Sequence, residues 1–304
     1  MEYIVPKQGA TVTIFAPYDC KNNCPFCVNK KDYKNNPSFD LDKVVKDMIA
    51  LHNITPACDF VITGGEPFAD LDKLALILNT MKKLNHHSIY THKVFINTTL
   101  PTQIGLVSFL QKYRDTITCL NVSRHTQPFT KNDMEIFEAG VLDSILPVRV
   151  NTVLTSEADV IEYKAAVYDK LKHYKCIKGF QIREDYTKVN CSNLFSISPL
   201  MRSFANKYNI DVNMIEDYIY NEYLTKDSFR WNYQITDRLS WHKTLPYSKF
   251  IDNGRSFCRI GDVIITPQGT IMDDWNGYGE ELDLGMYRKS LLMKSSTGEK
   301  KVDV

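Results

Sequence analysis

Short apolar runs rich in β-branched and aromatic residues recur at 12–16, 60–63, 94–98, 120–123, 148–154 and 179–183. Each closes on polar or turn residues, the pattern of strands covered on both faces. Helical periodicity fills the gaps. Over 40–51, Leu41, Val44, Val45, Met48 and Ile49 form one apolar stripe, with Ser38 or Asp40 as candidate N-cap. The segments 70–84, 103–113, 131–139 and 158–171 read in the same way. Six strands alternating with helices imply right-handed crossovers and a parallel sheet.

Beyond about residue 190 the alternation stops. Helical patterns cover 198–208 and 211–223, and an aromatic, polar stretch follows with Trp231, Tyr233, Trp241, His242 and Tyr247. The segment 262–272 reads as two short strands around a Pro267-Gln268-Gly269 turn. The expected division is therefore an alternating α/β unit over 1–190 and an α+β extension over 191–304.

Composition adds mainly exclusions. The 304 residues are 43% hydrophobic and 24% charged, ordinary for a chain that buries a core. Lys and Arg (37) nearly balance Asp and Glu (36), so no global field recruits nucleic acid or an anionic membrane. The first residues show neither a basic n-region nor an apolar h-region, and no apolar stretch approaches the roughly 20 residues of a membrane span. The expectation is a cytoplasmic protein.

Of the eight cysteines, five stand alone and three form Cys20-Lys-Asn-Asn-Cys24-Pro-Phe-Cys27. Three thiolates within one short loop can grip a single metal centre. No further Cys occurs before Cys58 and no His before His52, so one position is left without a local protein ligand. A zinc site completed by a distant residue is the plainer alternative. The second motif is Val61-Ile62-Thr63-Gly64-Gly65-Glu66-Pro67, an apolar strand running into two glycines, an acceptor carboxylate and a stiffening proline.

Together these motifs resemble the radical S-adenosylmethionine (SAM) superfamily, whose CxxxCxΦC segment, with Φ aromatic, matches Cys20, Cys24 and Cys27 with Phe26. The resemblance implies a six-stranded partial (β/α)6 barrel and one [4Fe–4S] cluster whose open iron chelates SAM. It also implies reductive SAM cleavage to a 5′-deoxyadenosyl radical that attacks an unactivated C–H bond. Gly64, Gly65, Glu66 and Pro67 match the segment that binds the methionine amino group. Thr98 matches a strand-end threonine, although Thr99 and Leu100 depart from the family's pattern there. Ser123, Asn151 and Arg183, at later strand ends, become candidate SAM contacts.

Around this centre His125 is a candidate proton donor or acceptor, and Cys258, flanked by Arg255 and Arg259, a candidate hydrogen-atom donor. Lys30, Lys31 and Lys34 are a weaker candidate phosphate grip. The 262–272 hairpin is similar to one in the C-terminal extensions of peptide-modifying members. Cys258 stands alone there, so no auxiliary cluster is expected. The Asn-Val-Ser and Val-Asn-Thr segments are also similar to the molybdenum-cofactor cyclases, without their second cysteine cluster. The single cluster and chain length are similar to the antiviral nucleotide dehydratases, but Val28-Asn29 follows the third cysteine where they carry Phe-His. The implied partners are a peptide, nucleotide or small-molecule substrate and an electron donor such as flavodoxin or ferredoxin. The competing reading is a non-catalytic iron–sulfur or zinc module with a protein or nucleic-acid partner.

Overall fold

A computed structural model describes residues 2–4, 10–15, 20–27, 39–54, 58–88, 91–127, 134–185, 199–209, 231–233, 247–252, 255–260, 262–272 and 281–282. The six expected strands form: β2 (Ala10–Phe15), β3 (Cys58–Thr63), β4 (Val94–Thr98), β5 (Cys119–Ser123), β6 (Val148–Leu154) and β7 (Ile177–Glu184). They pair in chain order, each parallel to the next. The helices between them are α1 (Leu41–Ile54), α2 (Leu71–His87), α3 (Leu106–Tyr113), α4 (Glu135–Glu138) and α5 (Glu157–Tyr163). This is the α/β architecture expected of a partial barrel.

Two features extend it. β8 (Trp231–Tyr233) adds in parallel to β7, and β11 (Asp262–Ile265) adds in parallel to β2. β12 (Ile271–Met272) then closes the expected hairpin against β11. The result is a nine-stranded sheet in the order β12-β11-β2-β3-β4-β5-β6-β7-β8, whose end strands do not pair with each other among the described residues. A second sheet joins β1 (Glu2–Ile4), β10 (Arg255–Ile260) and β9 (Tyr247–Asp252), in the order β1-β10-β9. Both sheets therefore include strands from after residue 190. The expected helix over 211–223 lies outside the described residues.

Register sorts the strand side chains into two faces. Val12, Ile14, Phe60, Ile62, Val94, Ile96, Leu120, Val122, Val148, Val150, Phe180 and Ile182 share one face and are buried, packed with Val44, Met48, Leu74, Ile77, Leu110 and Val160 of the helices. The other face presents Asn97, Asn121 and Arg149 at one level, then Ser123, Asn151 and Gln181 one step nearer the strands' carboxyl ends. The helix face is thus largely apolar, while the other, concave face mixes these polar groups with apolar ones such as Val61, Phe95 and Val153. Among the described residues no helix is long and apolar enough to cross a membrane.

The expected helix over 158–171 is interrupted. After α5 come a five-residue π-helical segment (Lys164–Tyr168) and the single turn α6 (Asp169–Leu171). Tyr208, just beyond α7 (Pro199–Lys207), is the cause. Its hydroxyl donates to the Val160 carbonyl at 2.8 Å and accepts from the Lys164 amide at 3.3 Å, so it stands where the i→i−4 bond would run.

Candidate active site at the carboxyl ends of the strands

The three clustered cysteines lie in a loop beyond the carboxyl end of β2, all half-buried. Its turn is closed by the Cys27 amide donating to the Cys24 carbonyl at 3.2 Å. Among the described residues no three His, Cys, Asp or Glu side chains are gathered for a single metal ion. Thiolates around one tetrahedral ion stand under about 4 Å apart, given Zn–S bonds of about 2.3 Å. Thiolates that each hold a different iron of a cube must stand wider. With no Cys or His beside them in the described loop, the three thiols leave one position to a ligand from outside it.

Beside this loop, β3 ends at Thr63 and the chain turns through Gly64, whose φ of 133° is a conformation L side chains rarely adopt. Glu66 caps the short turn Pro67–Ala69, with Pro67 in the first position, where a missing amide proton costs nothing. Phe68 is buried edge-on to Phe109, with ring centroids 6.1 Å apart. Asp70 then caps α2, accepting from the Lys73 amide at 3.0 Å.

The Glu66 carboxylate is held on both oxygens. Oε1 accepts from the Phe68 amide at 3.2 Å and the Thr98 hydroxyl at 2.5 Å. Oε2 accepts from the Thr99 amide at 2.8 Å and the Thr99 hydroxyl at 2.7 Å. Thr98 is paired in register with Val122 of the helix face, and its hydroxyl also accepts from the Leu100 amide at 2.7 Å.

Ser123 and Asn151 sit side by side in register on the concave face, followed by Gln181. Asn151 Oδ1 is buried without a hydrogen-bond partner, an acceptor awaiting a donor that the described chain does not supply. Arg183 lies on the same face, paired with Val153, and is half-buried. One level deeper, Asn121 donates to Asn97 at 2.8 Å and accepts from Arg149 Nε at 3.0 Å. Motif reasoning misses these three as site candidates, although a signal for them is legible: polar residues at every second place in otherwise apolar strands.

His125 is buried, its ring 4.9 Å from that of Phe26. Nδ1 accepts from the Val153 amide at 3.2 Å, which leaves the proton of the neutral ring on Nε2. Burial, with the neighbouring Arg124 charge, lowers its pKa to about 4 against the opposing pull of Asp159. Burial alone would raise the Asp159 carboxyl, but hydrogen bonds from Thr126, Thr155 and Ser156 outweigh it and hold the group below its ordinary range. Cys258 lies far along the chain in β10, paired with Tyr3 and Lys249. Its side chain, like Lys30, Lys31 and Lys34, is outside the described residues.

A half-buried thiol loop and a glycine-rich turn thus stand together at the carboxyl ends of the parallel strands of an α/β partial barrel, the end where open α/β sheets gather their ligands. Residues 16–126 match the family model described as the Radical SAM superfamily, so that segment carries a radical SAM domain. The family implies a [4Fe–4S] cluster. Solved structures with the same fold include hexahistidine-tagged anSMEcpe with bound AdoMet, at 17% identity and a TM-score of 0.57, covering 97% of this chain and 78% of that one. Native anSMEcpe with bound AdoMet and Cp18Cys peptide matches at 17% identity and a TM-score of 0.53, covering 97% of this chain and 81% of that one. No curated protein matches.

Proposed function

We propose that this protein holds one [4Fe–4S] cluster on Cys20, Cys24 and Cys27, binds SAM beside it, and modifies an unactivated C–H bond of a peptide, nucleotide or small metabolite. When bound, such a cluster supplies the electron that cleaves SAM and leaves a 5′-deoxyadenosyl radical. The reading rests on one observation: the thiol loop and the Gly64–Gly65–Glu66–Pro67 turn stand at the same end of the sheet and are hydrogen-bonded to each other through Thr99.

In this reading the Gly64–Gly65 backbone accepts from the SAM ammonium, while Glu66, Pro67 and Thr98 hold that turn in shape. Asn151 Oδ1 and the Ser123 hydroxyl take SAM's polar groups, and Arg183 takes a carboxylate of SAM or substrate. Phe26, within the cluster loop, packs that loop against His125. His125 stays neutral at physiological pH and offers a proton only as a hydrogen-bond donor at Nε2. Cys258 remains the candidate hydrogen-atom donor. Residues 191–304 form the substrate side and exclude water. Flavodoxin or ferredoxin is the proposed reductant, and the cytoplasm the proposed compartment. A peptide in one of the similar structures makes peptides the first substrates to screen.

The test is anaerobic reconstitution with iron and sulfide, then dithionite and SAM, with 5′-deoxyadenosine read by mass spectrometry. Wild-type protein is expected to form it, and Cys24→Ala to lose at least about a hundredfold of that rate, as when a group that must hold the reacting centre is removed. Equal rates in the two proteins would sink the assignment.

A further inference from the structure

Thr99 departs from the family pattern at the end of the third strand of the alternation, yet three loops meet on it. Its hydroxyl donates to Glu66 Oε2 at 2.7 Å and is within 3.3 Å of Asn22 Nδ2, from which it accepts. Its amide donates to the same Glu66 oxygen at 2.8 Å. Its carbonyl accepts from Arg124 Nη1 at 2.6 Å. Asn22 lies between Cys20 and Cys24, Glu66 belongs to the glycine-rich turn, and Arg124 follows β5.

We propose that Thr99 is a positioning residue that sets the cysteine loop against the Gly-Gly-Glu-Pro turn, and so sets where the cluster meets SAM. This deepens the functional reading above and rests on it for the identity of the two ligands. A hydroxyl has one proton to give and lone pairs to receive, so it can serve Glu66 and Asn22 at once. Valine keeps the shape and loses both roles; serine keeps both. With the hydroxyl gone, Glu66 Oε2 retains only the Thr99 amide, and Asn22 loses the bond that joins the cysteine loop to β4. A near-attack geometry depends on placements of this kind to within about an ångström. Thr99 touches neither ligand in this account. It acts through Asn22 and Glu66.

The experiment compares wild type, Thr99→Val and Thr99→Ser as full-length, anaerobically reconstituted proteins matched for iron content. Amide hydrogen exchange is followed over peptides covering 20–27, and SAM affinity is measured by equilibrium dialysis. Thr99→Val is expected to speed exchange across the cysteine loop and weaken SAM binding by about tenfold, the loss that one hydrogen bond to a charged group commonly brings. Thr99→Ser is expected to stay within about twofold of wild type on both readouts. Should Thr99→Val fail to fold, Asn22→Ala removes the link from the other side and leaves the Glu66 bonds intact; faster exchange over 20–27 is again the expected result.

Unchanged exchange in Thr99→Val, or equal weakening in the valine and serine variants, overturns the proposal. So does faster exchange with undiminished SAM affinity, which makes Thr99 a fold residue only. Wild-type protein that takes up iron but binds no SAM overturns the functional reading instead, and the exchange comparison then decides the Thr99 link by itself.

Discussion

At the scale of single residues, burial limits what His125 can do. A base whose pKa falls from 6.5 in the unfolded chain to about 4 in the fold is neutral in both states above pH 6.5. Between those values the unfolded state binds more protons, so stability is lost as pH falls from 6.5 through about 4. Integrated over that window the loss reaches about 3 kcal/mol. His52 and His92, whose rings meet at 2.7 Å and whose pKa values are both lowered first by burial, add to the same slope. The informative quantity is therefore a difference. Urea unfolding at pH 7 and pH 4.5 is expected to show a smaller pH loss for His125→Gln than for wild type, and an identical loss in the two would show that the ring is protonated without penalty. Site chemistry was legible in the sequence at this scale wherever a motif packed several functional residues into one segment, as with the three cysteines and Gly64 to Pro67. It was not legible where partners come from different strands. Nothing local to Thr99 says that Asn22 and Glu66 meet there, and nothing local to Asn121 says that Asn97 and Arg149 stand on either side of it.

Elements show the same division. The six strands and their helices were readable because each is a run with a period of 2 or 3.6, set by burial of one face or two. The π segment was not, since its cause is a hydroxyl that arrives from a residue 44 positions further on. Replacing Tyr208 by Phe leaves the Tyr163–Phe204–Tyr208 ring cluster its apolar contacts, with centroids at 5.4 Å and 4.7 Å, and removes only the inserted group. The Val160 carbonyl and Lys164 amide then either rejoin as an ordinary helical pair or stay unpaired. If they stay unpaired, Tyr208→Phe is expected to cost about 1–2 kcal/mol in urea unfolding. A variant as stable as wild type would mean that the helix has closed over the gap. The strand Trp231–Tyr233 was hidden for a different reason: at three residues it is too short to show alternation, and its pairing with β7 comes from the sheet edge it covers.

At the scale of the whole molecule, the chain's order and the sheet's order disagree. Sequence alternation places a boundary near 190, and we propose 191–304 as the substrate-side extension, but that extension supplies both neighbours of the six-strand array. β11 lies against β2 with Val263 beside Val12 and Ile265 beside Ile14, all four buried. Its turn reaches the start of α1, where the Asp40 amide donates to the Pro267 carbonyl at 2.8 Å. Gly269, at a φ of 68°, lies so close that an added Cβ would stand 2.6 Å from Lys43 Cγ. β8 covers β7 in the same way at the far edge. Without residues 191–304 both edges of a parallel sheet are open, and an uncovered apolar edge is a template for association with other copies. A chain ending at 190 also loses the partner of β1. The 1–190 fragment is therefore expected to aggregate on expression, while the full chain stays soluble and unfolds cooperatively. Size-exclusion chromatography and urea unfolding of the two proteins check this. A monomeric 1–190 fragment with its own sharp transition would show that the six strands form an autonomous unit and that the C-terminal strands only decorate its edges.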